Sequence, residues 1–235
     1  ESLFFAPDNK HSYNLRSAKH KTILTPRNRN WARSYTRMAT LPILEIPHPV
    51  LRQRAKKVRT IDRKVMKLAY DMVDTMHEAG GVGLAANQVG ELRRIIVLQM
   101  PEEEEARIYF NPEILRANGS REIEEGCLSL PGYRGIVNRS IWIRFQGTDH
   151  SDTIVKFKAE NLLSQALEHE VDHLNGILYT DHLVSHEKLF RLEDLEEVSN
   201  KKICESDPSL VSTSESQGVR AHYDSSDSPA SVKVK

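Results

Sequence analysis

The stretch "LEHEVDHLNG", residues 167–176, sets His169, Glu170 and His173 within five positions. On a helix, side chains at i and i+4 lie one above the other, so the two imidazoles present nitrogens to one point. Glu170 lies one step off that line, where its carboxylate reaches the edge of a bound ion without being a ligand. Two neutral imidazoles and a neighbouring base are what metal activation of water requires. The bare spacing equally suits a wetted helix face on which histidines and acids meet solvent.

A catalytic ion wants a third protein ligand and one open position. Downstream, His182, His186 and Glu187 are available, but none stands in the HxxGxxH spacing of the long zinc motif. Upstream, Cys127 sits in "EEGCLSLPG", between a glycine that permits unusual backbone and a proline that ends a strand. Its thiolate would complete a Cys/His/His set. Taken by itself, a cysteine in such a segment is more often a small buried hydrophobe. A further segment, "GGVGLAANQVG" at 80–90, combines glycines for close main-chain approach (Gly80, Gly81, Gly83) with the amide donor of Gln88. It has neither the GxGxxG of a dinucleotide loop nor the Gly-Lys-Ser/Thr ending of a P-loop.

The elements that must position these groups follow from periodicity. "TIDRKVMKLAYDMVDTMHEAG" has Ile61, Val65, Met66, Leu68, Met72, Val73 and Met76 at helical spacing and stops at Gly80 and Gly81. "RRIIVLQM" and "ARIYFNPEIL" are β-prone runs flanking the glutamate loop "MPEEEEAR". "REIEEGCLSLPG", "IVNRSIWIRFQ" and "TIVKFKA" continue the strand pattern, with a polar "GTDHSD" turn before the last. The helical period returns from Leu162 to Leu174. An order of helix, strands, helix favours α+β over alternating βαβ units.

Four segments are expected: a basic extension at 1–40, disordered or targeting; a single catalytic domain at 41–183; a charged C-terminal helix at 184–204; and a disordered tail at 205–235. Lys plus Arg and Asp plus Glu balance at 33 each, which gives no polybasic signal for DNA or anionic membrane. No run approaches the ~18 apolar residues that span a bilayer. Two cysteines are no disulfide framework. A soluble intracellular protein is expected, cytoplasmic, or in a mitochondrion or plastid if the basic arm is a targeting peptide.

In this order, "GVGLAANQVG", "EGCLSLPG" and "HEVDHLNG" resemble the three signature motifs of the peptide deformylase family, and the resemblance extends over about Ile43 to Leu183, including the leading "PHPVLRQRAKKV". It implies a compact α+β domain with short mixed or antiparallel strands around a central HExxH helix. It implies Cys127, His169 and His173 as metal ligands, Glu170 as general base and acid, and Gln88 with the Leu128 main-chain N–H as oxyanion donors. Gly83 would bond the substrate main chain, and Val82, Leu128, Leu162 and Ala166 would wall a methionine pocket. The implied cofactor is one divalent ion, ferrous iron physiologically, with zinc, nickel or cobalt able to use the same ligands. The implied reaction is removal of formyl from N-formylmethionyl nascent peptides, at or near the ribosomal exit tunnel, by a monomer.

Arg134 and Arg139 are candidates to pair with Glu124 or Glu125 and fix the cysteine segment. Four positions depart from the family pattern: Glu168 for glutamine, Asn161 for the glycine before the helix, Ser164 for alanine and Asn138 for proline. Asn161 is of a type suited to helix capping, and Glu168 is placed either to hold a strand or to perturb the site. Readings from other classes are a degenerate relative that binds without hydrolysing, and a general metallopeptidase acting on casein. Deleting residues 1–40 is expected to leave catalysis intact.

Overall fold

The structure of the protein is a computed structural model that describes residues 40–194; expectations for residues 1–39 and 195–235 lie outside the described residues. Helix α1 (Arg63–Glu78) begins where the Asp62 carboxylate accepts from the N–H groups of Lys64 and Val65, both at 2.9 Å. It ends at Gly80, whose φ of 66° is the left-handed stop. Its apolar face, Val65, Ala69, Met72 and Met76, is buried.

Five antiparallel strands form the larger sheet, in the order β1 (Gly83–Ala85), β2 (Ile95–Leu98), β3 (Arg107–Asn118), β6 (Trp142–Asp149) and β7 (Ile154–Glu160). Strand β2 is buried throughout. Because successive side chains alternate between faces, Ile95 and Val97 join the core under α1, while Ile96 and Leu98 join the core under α2 (Asn161–Asn175). Towards β6 and β7 only one face is covered among the described residues: Ile143, Phe145 and Ala159 point to the α2 core, whereas Arg144 and Lys158 stand opposite one another on the outer face.

A second sheet of three strands runs β4 (Arg121–Cys127), β5 (Leu130–Arg139) and β8 (Leu189–Arg191). The run "IVNRSIWIRFQ" is thus broken at Ser140 and Ile141, so that β5 and β6 lie in different sheets. Glu168 holds this junction by accepting from the Ser140 main-chain N–H (3.0 Å) and hydroxyl (2.8 Å). The α+β class and the helix, strands, helix order are as expected. The start of the C-terminal segment differs. Residues His186–Lys188 form a 3-10 turn and Leu189–Arg191 a strand, because the exposed edge at Tyr133–Gly135 offers them a partner. Helical backbone begins only at residue 192, and 195–204 lie outside the described residues. No helix among the described residues is long and apolar enough to cross a membrane.

Candidate metal centre and active site

Helix α2 carries both histidines. Its first residue, Asn161, does not cap it: Glu160 takes the cap position without a side-chain bond, and Asn161 has φ of 55°, a conformation that glycine or asparagine adopts most readily. Its carbonyl accepts from Arg121 Nη2 at 2.6 Å. The other end is tied down more heavily. Asn87 Nδ2 donates to the His173 carbonyl at 2.5 Å, Ala55 N to the Leu174 carbonyl at 2.8 Å, and Arg94 Nη1 to Asn175 Oδ1 at 2.9 Å. A Cβ at Gly176, which closes the helix at φ of 77°, would lie 2.5 Å from the Arg52 carbonyl oxygen.

His169, Glu170 and His173 are fully buried beneath this frame. Cys127 meets them from the end of β4, where the β4–β5 register shifts between Gly126 and Cys127 and turns the chain inward. Cys127 Sγ lies 3.2 Å from His173 Nε2, which lies 3.1 Å from His169 Nε2. All three donor atoms fall within 4.8 Å of one another. The sequence separates Cys127 from the histidines by about forty positions; the fold brings them to one point.

The surroundings fix each donor. His169 Nδ1 stands 2.5 Å from Glu125 Oε1, which sets the ring so that Nε2 faces the other two donors. Glu125 in turn accepts from Arg139 Nε at 2.9 Å and Nη2 at 2.8 Å, and Arg139 Nη1 reaches Asp172 at 2.5 Å. Burial opposes the Glu125 charge, but the neighbouring His169 and Arg139 outweigh it and hold this carboxyl at about 2. Arg134 pairs with Glu124 at 2.9 Å, so both expected arginine pairs form. The Cys127 sulfur accepts from Ser129 N at 3.4 Å and from Gln88 Nε2 at 3.6 Å.

Glu170 differs from every other acid here. Both carboxylate oxygens are buried and, among the described residues, have no hydrogen-bond partner. Burial, reinforced by the Glu125 charge, pushes its carboxyl well above the usual range. Burial likewise pushes the Cys127 thiol up, with Glu170 and Glu125 adding to it, and keeps His173 neutral with His169 adding to that. The structure therefore packs a thiol, two imidazoles and a carboxylate with their lone pairs converging. That donor set fits a divalent transition-metal ion, whose charge reverses the local preference for neutral forms. Three protein donors leave a coordination position open.

The glycine-rich segment lies against the same site. Strand β1 is the edge of its sheet, and a Cβ on Gly83 would stand 3.0 Å from Glu170 Cδ and 3.1 Å from Leu98 Cδ2. Only a glycine lets the main chain pass this close to the carboxylate. In the 3-10 turn Ala86–Val89, Gln88 Oε1 accepts from Ala85 N at 2.8 Å, which aims its NH2 at Ser129 Oγ (3.2 Å) and Cys127. Ile46 N donates to the Ser129 carbonyl and Leu44 N to the Gln88 carbonyl, so the leading segment straps both turns together. Val82, Leu128 and Leu162 are half-buried around the fully buried Ala166 in one apolar cluster.

Three contributors escaped sequence reasoning: the Glu125 contact to His169, the Asp172 contact to Arg139, and the Asn87 bond to the His173 carbonyl. A signal existed for the first. Glu125 and Cys127 are two apart on one strand, hence on one face. Glu168 holds a strand junction instead of entering the site, and Ser164 adds a hydroxyl bond to the Ser140 carbonyl at 3.3 Å.

Known proteins resemble this chain in sequence and in fold. A family model for polypeptide deformylase matches residues 40–189. A peptide deformylase of Dehalococcoides mccartyi is 44% identical over 155 residues, spanning 66% of this chain and 93% of its own. One of Halothermothrix orenii is 45% identical over 147 residues, 63% of this chain and 96% of its own. Among solved structures, a peptide deformylase from Legionella pneumophila superposes with a TM-score of 0.61 at 37% identity, covering 72% of this chain and 98% of that one. A class I type b peptide deformylase from Acinetobacter baumannii, bound to Met-Ala-Ser, gives 0.59 at 31% identity, covering 63% and 100%. With a matching core, a Cys/His/His donor set and a family model over most of its length, the chain belongs to the polypeptide deformylase family and is a metal-dependent amide hydrolase.

Proposed function

We propose that this protein hydrolyses the N-formyl group from the N-formylmethionyl ends of newly made polypeptides, which it meets as they leave the ribosome. The observation that carries this reading is the Glu170 carboxylate, buried without a hydrogen-bond partner among the described residues and beside three converging donors. A group desolvated at such expense has work to do on something that enters the site.

In this reading Cys127, His169 and His173 hold the ion, ferrous iron in the cell, with zinc, nickel or cobalt as substitutes on the same donors. A divalent ion bound there supplies Lewis acidity, making a water acidic enough to react near neutral pH and polarising the formyl carbonyl. Glu170 takes the proton from the attacking water at one carboxylate oxygen and returns it to the leaving amine. Gln88 Nε2 and the Leu128 main-chain N–H donate to the oxygen on which negative charge grows. The Ala85 bond to Gln88 Oε1 keeps the amide from flipping, so the donor is oriented before substrate arrives.

Gly83, on an edge strand, extends main-chain hydrogen bonding to the substrate backbone. Val82, Leu128 and Leu162, lying over Ala166, accept an unbranched side chain such as methionine. The Acinetobacter relative bound to Met-Ala-Ser, a peptide that begins with methionine, supports that choice. The test is formate release from formyl-Met-Ala-Ser by anaerobically purified protein of known metal content. Turnover that tracks metal occupancy is expected. A metal-replete protein that releases no formate, or one that cuts casein instead, overturns the reading.

A further inference from the structure

A line of charged groups runs from the surface of the molecule to one of the three donors. His182 Nε2 lies 3.0 Å from Asp172 Oδ2, the same oxygen that Arg139 Nη1 reaches. Arg139 in turn holds Glu125, and Glu125 meets His169 Nδ1. Exposure falls along the line, from 36% for the His182 side chain through 18% for Asp172 and 3% for Arg139 to 0% for Glu125. His182 is the member most open to solvent.

The backbone fixes His182 in this place. Its 3-10 turn, Tyr179–His182, is tied at Asp181, which accepts from Leu178 N at 3.0 Å and pairs with Arg52. Just beyond the turn, Leu183 bridges to Val137 and Val184 N donates to the Ile136 carbonyl at 3.0 Å. None of these bonds uses the His182 side chain, so replacing it alters charge while the main chain keeps its ties.

Glu125 and Asp172 are two carboxylates around one guanidinium, which leaves a negative charge over. Among the described residues the other ion-pair partner of Asp172 is His182. Arg52, on the neighbouring turn Pro49–Arg52, is committed to Asp181, which also faces His182. The Asp172 carboxylate raises the proton affinity of His182, against partial burial and the nearby Arg139, with Glu125 adding to the rise. With His182 charged the cluster is neutral. With His182 neutral a negative charge stays inside the protein, and Glu125 becomes the stronger base towards His169.

We propose that His182 is a positioning residue for the metal centre that sets, through Asp172, Arg139 and Glu125, how strongly His169 donates to the ion. The proposal rests on the reading that Cys127, His169 and His173 hold that ion. A neutral His182 makes the donors hold it more tightly, for two reasons that agree in sign. A more basic Glu125 draws on the Nδ1 proton and enriches Nε2, and the excess negative charge attracts the cation directly. A charged His182 loosens the hold.

The test compares Zn2+ affinity in the full-length wild type, His182→Gln and His182→Lys, by competition with a chromophoric chelator from about pH 5 to about pH 8. Ligand deprotonation makes all three bind more tightly as pH rises. His182→Gln should bind on the order of fivefold more tightly than His182→Lys throughout. Wild type should follow the lysine variant at low pH and cross to the glutamine variant above about pH 6.5, the ordinary histidine pKa. A merely structural contact gives no such crossing. By reciprocity, Zn2+ loading should lower the pKa of His182 in the wild type, read by NMR from its imidazole resonances. That titration decides the matter should circular dichroism show a variant unfolded. Three parallel profiles, weaker binding by His182→Gln than by His182→Lys, or a His182 pKa unmoved by Zn2+ would overturn the inference and leave the hydrolytic reading standing. Wild type that binds no Zn2+ overturns both, and Zn2+ binding without formate release overturns the hydrolytic reading alone.

Discussion

Glu125 Oε1 lies 2.5 Å from His169 Nδ1 while the same carboxylate takes two N–H bonds from Arg139. One buried acid thus sets the tautomer of an imidazole and is itself held by a guanidinium, the kind of support that governs ligand strength. Glu125→Gln is expected to keep the fold and weaken metal retention about 10–100-fold, read by competition with a chelator. Arg139→Ala should act differently. It strips the cation from both Glu125 and Asp172, and leaving buried charge uncompensated costs about 3–5 kcal/mol, read by urea unfolding. Unchanged unfolding in Arg139→Ala would mean that water replaces the guanidinium.

Glu170→Gln retains shape and removes only the proton carrier. Metal content should be unchanged and kcat should fall about 10²- to 10⁴-fold. The metal-free protein should be no less stable than wild type, because the variant no longer carries an acid that burial disfavours when ionised. Turnover near wild type would transfer the base role to another group.

Gln88→Ala removes the amide donor while leaving Ser129 N on the Cys127 sulfur. Metal retention is expected with kcat down about 10²- to 10³-fold and little change in substrate affinity. Turnover within a few-fold of wild type would remove Gln88 from this role.

Gly83→Ala places a methyl group where the Glu170 carboxylate now lies. Alanine is tolerated in a short edge strand, so the carboxylate is what moves. A displacement of about 1 Å from the productive position costs on the order of 10²-fold in rate. Crystallography of the variant, with Glu170 displaced, checks the cause alongside the assay.

The Arg52–Asp181 pair joins the 3-10 turn Pro49–Arg52 to the 3-10 turn Tyr179–His182. Hydrogen bonding by Arg52, opposed by partial burial, holds the Asp181 carboxyl below its ordinary value. A depressed acid contributes stability above its unfolded pKa, near ~3.9, and loses it as pH falls through the folded value. Arg52→Met should therefore melt slightly lower than wild type at neutral pH, with the gap closing below about pH 4. A gap that persists in acid would assign the loss to packing of the arginine stem.

Much of this was legible in the sequence because it is local. The α1 face repeats every turn from Val65 to Met76, the glycines at 80 and 81 end it, and β2 reads as an unbroken apolar run. What escaped depends on partners distant in the chain. "KLFRLEDLEEV" has an apolar spacing that fits a helix, and only the open edge at Tyr133–Gly135 makes Leu189–Arg191 a strand. In sequence Glu168 suits either holding a strand or perturbing the site, and only its bonds to Ser140, 28 residues away, decide for the strand. The φ of Asn161 explains why a glycine is expected there, a matter of backbone geometry that its capping propensity does not reveal.

The lower end of α2 is lashed to Ala55, Asn87 and Arg94, none of which approaches the reacting atoms. The imidazole of His173 inherits its steadiness from that lashing. A mutational screen scored on product alone would therefore flag these three positions as if they took part in bond making, when what they supply is a fixed footing. Separating the two kinds of hit requires a readout of helix motion, such as amide exchange along residues 170–176, beside the rate.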